Sequence, residues 1–179
     1  IVNDNQNSNT QRVLQFIQQN PGCHLREIKR ELDMAMGTVQ YHLNLLEKEG
    51  KIISERRYLY KNYFPGGMFT PDQKNILRIL KLETSRDIIM FIIEKSNPTQ
   101  TAIVENLGMS AASISWNLAR LIESGIIGEI KDGKFKRYVM LENPKDIATL
   151  MKNYHPTIWT TWSNRLAETF LSLSKEEKP

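Results

Sequence analysis

Cysteine, histidine and long apolar runs are scarce in this chain of 179 residues. It has one cysteine, Cys23, and three histidines, too few for an internal disulfide or for most structural zinc sites. The longest apolar run covers residues 88–93, far short of the ~20 residues that a membrane span needs. No basic segment followed by an apolar stretch opens the chain, so no secretory signal is predicted. These absences predict a cytoplasmic protein without a disulfide, a bound metal or a membrane contact.

Sequence motifs of enzymes are also lacking. The chain contains no phosphate-binding loop, no dinucleotide fingerprint, no nucleophile elbow and no zinc-protease motif. We therefore predict that the protein is not an enzyme and needs no cofactor. The basic surplus is small, with 24 lysines and arginines against 20 acids and a net charge of +4. It favours an anionic partner, but a nucleic-acid surface must come from local placement of charge.

An internal repeat organises the chain. Shifting the sequence by 75 residues aligns Val13–Arg56 with Ile88–Lys131 without a gap. Nine of the 44 aligned pairs are identical, and eight of the nine are apolar. The two copies therefore share a core pattern, while their polar positions differ. This pattern predicts a duplicated domain with different tasks for the two copies.

Each copy has the periodicity of three helices followed by a β-hairpin. In the first copy the helices are predicted over residues 11–20, 25–32 and 37–49, and two strands within 51–63. In the second copy the predicted elements are helices 86–95, 100–107 and 110–124 and a hairpin 127–141 that turns at Asp132-Gly133. This order is typical of a winged helix-turn-helix. We predict a mainly α fold with small β-hairpin wings, consisting of two tandem winged helix-turn-helix domains and C-terminal helices.

Two segments carry a resemblance to a known family. GTVQYHLNLLEKEGKI and MSAASISWNLARLIESGII resemble the third helix of the MarR/ArsR-type winged-helix superfamily. The tandem arrangement over residues 11–142 is similar to that of archaeal winged-helix transcriptional regulators. The resemblance implies binding of double-stranded DNA and regulation of transcription by a homodimer, which would dimerise through its terminal helices.

Five segments follow from these patterns. Thr70-Pro71-Asp72-Gln73 is a helix start, with a capping threonine, a proline at the first helical position and a glutamine two residues later. It predicts a connector helix, although the same residues would also suit a first helix of the second copy without a hinge role. The segments are a flexible tail 1–10, winged helix domain 1 over 11–68, the connector 69–83, winged helix domain 2 over 84–142 and C-terminal helices 143–179.

The last predicted helix carries an apolar stripe at helical spacing. Its members are Trp159, Trp162, Leu166, Phe170 and Leu173. Such a stripe has to be buried against another surface. We predict that it forms a dimer interface, with packing against its own winged helix as the alternative.

The third helix of the first copy supplies the candidate reader of DNA sequence. With Val39, Leu43 and Leu46 facing inward, the outer face carries polar residues and no acid before Glu47. Glutamine and asparagine can pair with adenine, threonine can contact a thymine methyl, and tyrosine and lysine can reach phosphates. The predicted DNA-binding residues of this copy are Thr38, Gln40, Tyr41, Asn44 and Lys48 on the helix and Arg56, Arg57 and Lys61 on the wing.

The second copy has a small, weakly polar helix face and a basic wing. Its predicted DNA-binding residues are Ser113, Ser115, Trp116, Arg120, Lys131, Lys134, Lys136 and Arg137. We predict that this copy contacts the backbone while the first copy reads sequence. Trp116, if exposed, would also suit a protein contact; if turned inward it would be part of the core.

Three further positions are weighed individually. Cys23-His24 suggests a metal sensor, but the paired cysteines of such ArsR proteins are missing, so no metal site is predicted. His42 is predicted to pack at the edge of its helix. Ala35 stands where related sequences carry a capping serine or threonine, and the second copy keeps that residue as Ser110. The first recognition helix should therefore be less well capped, by about 1 kcal/mol.

These patterns predict a sequence-specific regulator of transcription that binds double-stranded DNA as a homodimer. Its recognition helix would lie in the major groove and its basic wings on the backbone. A protein partner from the transcription machinery would also be compatible with the second copy. The alternative is a tandem winged-helix protein-interaction module, similar to those of ESCRT-II or of polymerase- and chromosome-associated subunits.

Overall fold

The computed structural model describes residues 2–57 and 59–176 of the chain, and the side chains of residues 8–57, 59–165, 167 and 168. The chain divides into two compact units, one up to Arg78 and the other from Ile79 onward. In the described part, no helix combines the length and the apolar character that crossing a bilayer would require. The fold is mainly helical with small antiparallel hairpins, as the periodicity predicts.

The first unit has the winged helix-turn-helix order. Its elements are α1 Val2–Gln19, β1 Cys23–His24, α2 Leu25–Leu32, α3 Met36–Lys48, β2 Ile52–Arg57 and β3 Tyr60–Pro65, followed by α4 Pro71–Leu80, which runs past the boundary of the unit. The strands form a three-stranded antiparallel sheet in the order β1-β3-β2. The two-residue strand β1 pairs Cys23 with Tyr63, and the sequence pattern does not reveal it because two residues carry no periodicity.

The first helix is longer than the sequence predicts. It begins at Val2, so residues 2–10, expected as a flexible tail, are helical. A hydrogen bond of 2.9 Å joins the hydroxyl of Thr10 to Nδ1 of His42 on α3. Arg12 also donates to the side chain of Asn9 and to the carbonyl of Leu32. The hydrogen bonds to His42 and Leu32 join α1 to α3 and to the end of α2. Because these contacts are polar, hydrophobic periodicity does not predict them.

The second unit repeats the same order. Its elements are α5 Glu83–Lys95, α6 Gln100–Leu107, α7 Ala111–Glu123, β4 Ile127–Asp132 and β5 Phe135–Met140, followed by α8 Pro144–Tyr154 and α9 Pro156–Glu176. The strands β4 and β5 form a two-stranded antiparallel hairpin. A single bridge between Thr99 and Arg137 takes the place of the pairing between β1 and β3.

The 75-residue shift relates the two units element by element. Both ends of α2, α3, β2 and β3 map exactly onto the ends of α6, α7, β4 and β5. The strand register follows as well, since Ile52 faces Pro65 in one hairpin and Ile127 faces Met140 in the other. Even the bridge Thr99–Arg137 corresponds to the pair His24–Asn62. The repeat found in the sequence is therefore a repeat of structure.

Each unit has its own core, built largely from the shared apolar positions. Five identical pairs are buried in both copies: Ile17/Ile92, Ile28/Ile103, Leu43/Leu118, Leu46/Leu121 and Ile52/Ile127. Burial of one such side chain stabilises the fold by about 1.5–3 kcal/mol. Because these residues hold the third helix against the other two, they also determine which face of that helix points outward.

Helix capping follows the sequence prediction at three places. Thr70 and Gln73 exchange hydrogen bonds of 3.0 and 3.2 Å between backbone and side chain, a reciprocal capping box at the start of α4. Ser110 accepts a hydrogen bond from the backbone of Ser113 at 3.2 Å. Ala35, at the equivalent position before α3, makes no side-chain cap. The helix α3 therefore begins with one N–H fewer satisfied by a side chain than α7.

Candidate nucleic-acid interface

The outer face of α3 is defined by what the helix buries. Val39, Leu43 and Leu46 are at most 1% exposed in the core of the first unit. His42 is also buried, at 2% exposure, and is joined to Thr10. Burial lowers the pKa of His42 because it disfavours the charged imidazolium. The prediction that His42 packs at the helix edge understates its burial, since a neutral ring with one hydrogen bond can enter the core.

The predicted reading side chains lie on the opposite face. Gln40, Asn44 and Lys48 are exposed, and Thr38 is half-buried. Tyr41 is 54% exposed and meets the ring of His42 edge to face, with 5.2 Å between the centroids. The five residues form a polar strip along three turns of the helix, and none of them is acidic.

The acid at the end of this strip, Glu47, is held by neighbours. Its carboxylate accepts a hydrogen bond from the hydroxyl of Ser54 and one of 3.2 Å from the ammonium of Lys61. The Lys61 ammonium also lies 5.4 Å from the ring centroid of Tyr63. Burial and the negative charge of Glu47 both raise the pKa of Tyr63. Lys61, predicted to reach phosphates, thus compensates the charge of Glu47, which would repel them.

The remaining cations of the first wing are Arg56 and Arg57. Both side chains are exposed at the end of β2, and neither makes an ion pair within the part of the chain that is described. Tyr60, which opens β3, stacks on His24 with 5.1 Å between the ring centroids and 21° between the planes. The wing therefore presents two guanidinium groups beside the ring of Tyr60, which is already stacked on His24.

A charged cluster ties the body of this wing to α4. The Glu55 carboxylate accepts hydrogen bonds from Lys74 at 2.9 Å and from Arg78 at 2.8 Å. Both cations are 8% exposed and lie 5.9 Å from the ring centroid of Phe64. The spacing of four residues between Lys74 and Arg78 puts them on one face of α4. The sequence spacing therefore predicts that these two cations are neighbours, but it does not predict that Glu55 is their partner.

The outer face of α7 differs at each corresponding position. Ser115 stands in place of Gln40, Trp116 in place of Tyr41, and Glu123 in place of Lys48. Trp116 is 57% exposed, and the guanidinium of Arg120 lies 4.5 Å from its ring centroid. Of the two options left open for Trp116, the structure has the exposed one. Ser113 is half-buried, and its backbone is used in the helix cap.

The second wing is less basic than its sequence indicates. Lys136 donates to Glu129 at 3.1 Å, and Arg137 pairs with Asp132 at 2.6 Å. Lys131 and Lys134 are exposed and make no ion pair within the described residues. Two of the four side chains predicted to contact the DNA backbone are therefore already paired with acids of the same hairpin. The pairing with Glu129 was not predicted from the sequence.

Cys23 and His24 form the two-residue strand β1. Cys23 is fully buried, and His24 caps α2 by accepting a hydrogen bond of 3.2 Å from the backbone of Glu27. Among the residues that the structure describes, no three histidine, cysteine or acidic side chains come together in a group able to hold a metal ion. A capping role accounts for His24 here.

The C-terminal stripe is partly used inside the second unit. Trp162 is 5% exposed, and Arg165 forms a double hydrogen bond with Glu94 of α5 at 2.6 and 3.0 Å. Trp159 is half-buried. The burial of Trp162 and the pair of Arg165 with Glu94 favour the alternative, packing against its own winged helix, for this part of α9. The side chains of Leu166, Phe170 and Leu173 lie outside the described residues.

Two family models and one curated relative match the sequence of this chain. Residues 7–77 match a family model described as an N-terminal HTH domain, and residues 81–127 match one described as winged helix-turn-helix DNA-binding. Over 138 residues, or 76% of this chain, the sequence is 30% identical to the uncharacterized HTH-type transcriptional regulator MJ1398 of Methanocaldococcus jannaschii. That match covers 34% of the relative, so the chain spans about a third of its length.

Solved structures give lower similarity. HlyU from Vibrio cholerae is 18% identical with a TM-score of 0.41, over 46% of this chain and 88% of that one. Rv0081 of M. tuberculosis is 19% identical with a TM-score of 0.41, over 55% of this chain and 99% of that one. ZitR of Lactococcus lactis is 18% identical with a TM-score of 0.38, over 84% and 97%. From its own fold and the sequence matches, the chain is a tandem winged helix-turn-helix protein homologous to an archaeal HTH-type transcriptional regulator.

Proposed function

We propose that this protein is a sequence-specific regulator of transcription that binds double-stranded DNA through α3. The observation that supports this most directly is the outer face of α3, a polar strip without an acid, which is followed by two paired carboxylates: Glu47 is paired with Lys61 and Glu49 with Lys51. A helix that enters the major groove meets phosphates on both sides, so an uncompensated acid there would weaken binding. Pairing Glu47 inside its own unit removes that repulsion.

The side chains of the strip match the chemistry of base edges. Gln40 and Asn44 are one helical turn apart, and each amide can both accept from and donate to an adenine. Thr38 can contact a thymine methyl, and the exposed Tyr41 and Lys48 can reach phosphates. Gln40 and Asn44 are therefore the residues that we assign to sequence reading, and Tyr41 and Lys48 those that position the helix.

The wings are assigned to the phosphate backbone. Arg56 and Arg57 are exposed on the first wing, and Lys131 and Lys134 on the second. Each phosphate contact releases condensed counterions, so each contributes a slope of about 0.9 in log affinity against log salt. In the second unit, Ser115 and the neighbouring small residues offer few base contacts, so its contribution is to affinity more than to sequence preference.

We further propose that the protein acts as a homodimer. The helix α9 is 21 residues long, and in the sequence its apolar stripe continues past Trp162 through Leu166, Phe170 and Leu173, a length that favours burial against another surface. In a two-fold dimer, equivalent recognition helices would enter major grooves about 34 Å apart or a multiple of that distance. The binding site on DNA would then have two-fold symmetry.

Trp116 favours a second candidate function, a protein contact made by the second unit. Exposed tryptophans with an arginine beside them are enriched in protein interfaces. In a module devoted to protein contacts, the acid-free strip of α3 would have no task. We therefore propose that the protein binds a protein partner in addition to DNA.

The test is fluorescence anisotropy on a duplex selected from a random pool by the whole chain, compared with a scrambled duplex across a salt series. We expect salt-sensitive binding that prefers the selected sequence. Gln40→Ala and Asn44→Ala should each reduce that preference by about 1–3 kcal/mol. The matched control is Ser115→Ala at the equivalent position of α7. Unchanged preference in both α3 variants would refute the assignment of α3 as the reader.

A further inference from the structure

The two wings carry an aromatic ring at the same register position. Tyr60 faces Arg57 across the first hairpin, and Phe135 faces Asp132 across the second. Tyr60 stacks on His24, but the residue equivalent to His24 is Thr99. Within the described residues Phe135 stacks on no other aromatic ring, and its side chain is 53% exposed. The second wing thus keeps the ring without the intramolecular partner.

A second apolar side chain lies next to this ring. In the first wing, position 55 is the glutamate held by the two cations of α4. The equivalent residue of the second wing is Ile130, which is 45% exposed. Ile130 faces Arg137, two residues from Phe135, so both apolar side chains project from the same face of the hairpin. The end of the second wing therefore carries an exposed apolar pair.

The charges around this pair leave two lysines uncompensated. The acids Glu129 and Asp132 are each matched by a cation of the same hairpin. Lys131 and Lys134 remain, and the ammonium of Lys134 lies 5.4 Å from the ring centroid of Phe135. These side chains line a groove of about 330 Å³. The Phe135 ring therefore lies beside the Lys134 ammonium, and Lys131 lines the same groove.

We propose that the second wing inserts Phe135 between adjacent base pairs of bound DNA and bends the duplex. This inference rests on the proposed function, because it requires a duplex held by the same chain. Apolar side chains such as phenylalanine and isoleucine act as wedges that partly unstack a base step and kink DNA by ~20–90°. The ring would replace part of the lost stacking, while Lys131 and Lys134 neutralise the phosphates on either side. A purely apolar partner would not compensate the charges of Lys131 and Lys134, so these charges favour DNA as the partner.

The experiment measures the bend of the selected duplex, labelled with a donor and an acceptor dye at its ends. The whole wild-type chain should raise the transfer efficiency, and 2-aminopurine placed at successive steps should brighten at one of them. Phe135→Ala should abolish both signals, and because the lost stacking is offset by the unstacking cost that the variant no longer incurs, binding should weaken by less than about tenfold. Phe135→Leu, which keeps a wedge, should retain part of the bend. Circular dichroism of each variant verifies folding, which an exposed site should not disturb.

Two variants control for charge and for the other wing. Tyr60→Ala alters the equivalent ring of the first wing and should leave the bend unchanged. Lys134→Ala should lower affinity and reduce the salt slope by about one while the bend remains. Together they separate a wedge from a general loss of contact.

The results overturn the inference in distinguishable ways. A bend that persists in Phe135→Ala, with binding intact, refutes the wedge and leaves the proposed function standing. Failure of the wild-type chain to prefer the selected duplex refutes both. Sedimentation with phosphatidylglycerol vesicles and analytical ultracentrifugation test the rival occupants. Association that depends on Phe135 in either assay, without a bend that depends on it, would assign the patch to a membrane surface or to a second copy instead.

Discussion

The difference in capping between α3 and α7 leads to a quantitative prediction. Ala35 has φ −64° and ψ 146°, and Ser110 has φ −63° and ψ 146°. The backbone before α3 is therefore already in the conformation that a capping serine adopts. In Ala35→Ser the new hydroxyl should accept from the backbone N–H of Thr38, as Ser110 does from Ser113 at 3.2 Å.

The expected gain is about 1 kcal/mol of unfolding free energy for the first unit, since capping satisfies one N–H of the first turn. For a unit of this size, that corresponds to a rise of about 4–8 °C in Tm. The matched change Ser110→Ala should destabilise the second unit by a similar amount. Because backbone conformation is the same in both, the two effects should be close to equal and opposite.

The tryptophans make the assay specific for each unit. All three, Trp116, Trp159 and Trp162, belong to the second unit, so tryptophan fluorescence during urea unfolding follows that unit, whereas far-ultraviolet circular dichroism follows both. Ser110→Ala should shift the fluorescence midpoint. Ala35→Ser should raise the urea midpoint of the first unit, which appears in the dichroism transition but not in the tryptophan fluorescence. An Ala35→Ser chain no more stable than wild type, beside a destabilised Ser110→Ala, would refute the equivalence of the two caps.

Two further perturbations test the buried polar groups. His42 has a pKa lowered from 6.5 by burial, so the folded state binds fewer protons than the unfolded state, and stability should fall as pH drops below about 6.5. Urea midpoints measured from pH 7.5 down to 5 should show this loss; His42→Gln should reduce it, and an unchanged slope in His42→Gln would contradict the assignment. Glu55→Gln leaves two buried cations without their carboxylate and should cost about 2 kcal/mol, whereas Glu31→Gln, in an exposed pair, should cost below about 0.5 kcal/mol. Equal midpoints for these two variants would show that the Glu55 cluster is not stabilising.

The core and the order of elements were predictable because they depend on local periodicity. A buried helix face needs apolar residues every three to four positions, and a hairpin needs a turn. Both features can be recognised from residues that are close together in the sequence. The shift of 75 residues carried the argument further, since shared apolar pairs such as Leu43/Leu118 must occupy the same core site. Caps were predictable for the same reason: Ser110, Ala35 and the Thr70–Gln73 box act within one turn.

The candidate site was predictable as a set of exposed side chains but not as a pattern of charge. Gln40 and Asn44 face outward because their neighbours along the helix face inward, which follows from the helical period. Whether a charge is available depends on partners that are distant along the chain. Lys61 meets Glu47 across 14 residues, and Lys74 meets Glu55 across 19, so neither pairing has a local signature.

The sequence by itself thus determined the tandem winged helix-turn-helix fold, the third helix of each unit and the difference in polarity between the outer faces of these two helices. Only the tertiary structure decided which cations remain unpaired, that His42 is buried against Thr10, and that Phe135 lacks the stacking partner that Tyr60 has. The physical reason is the range of the interactions. Hydrophobic periodicity and capping act over a few residues, whereas ion pairs and ring stacking depend on side chains that only folding brings together.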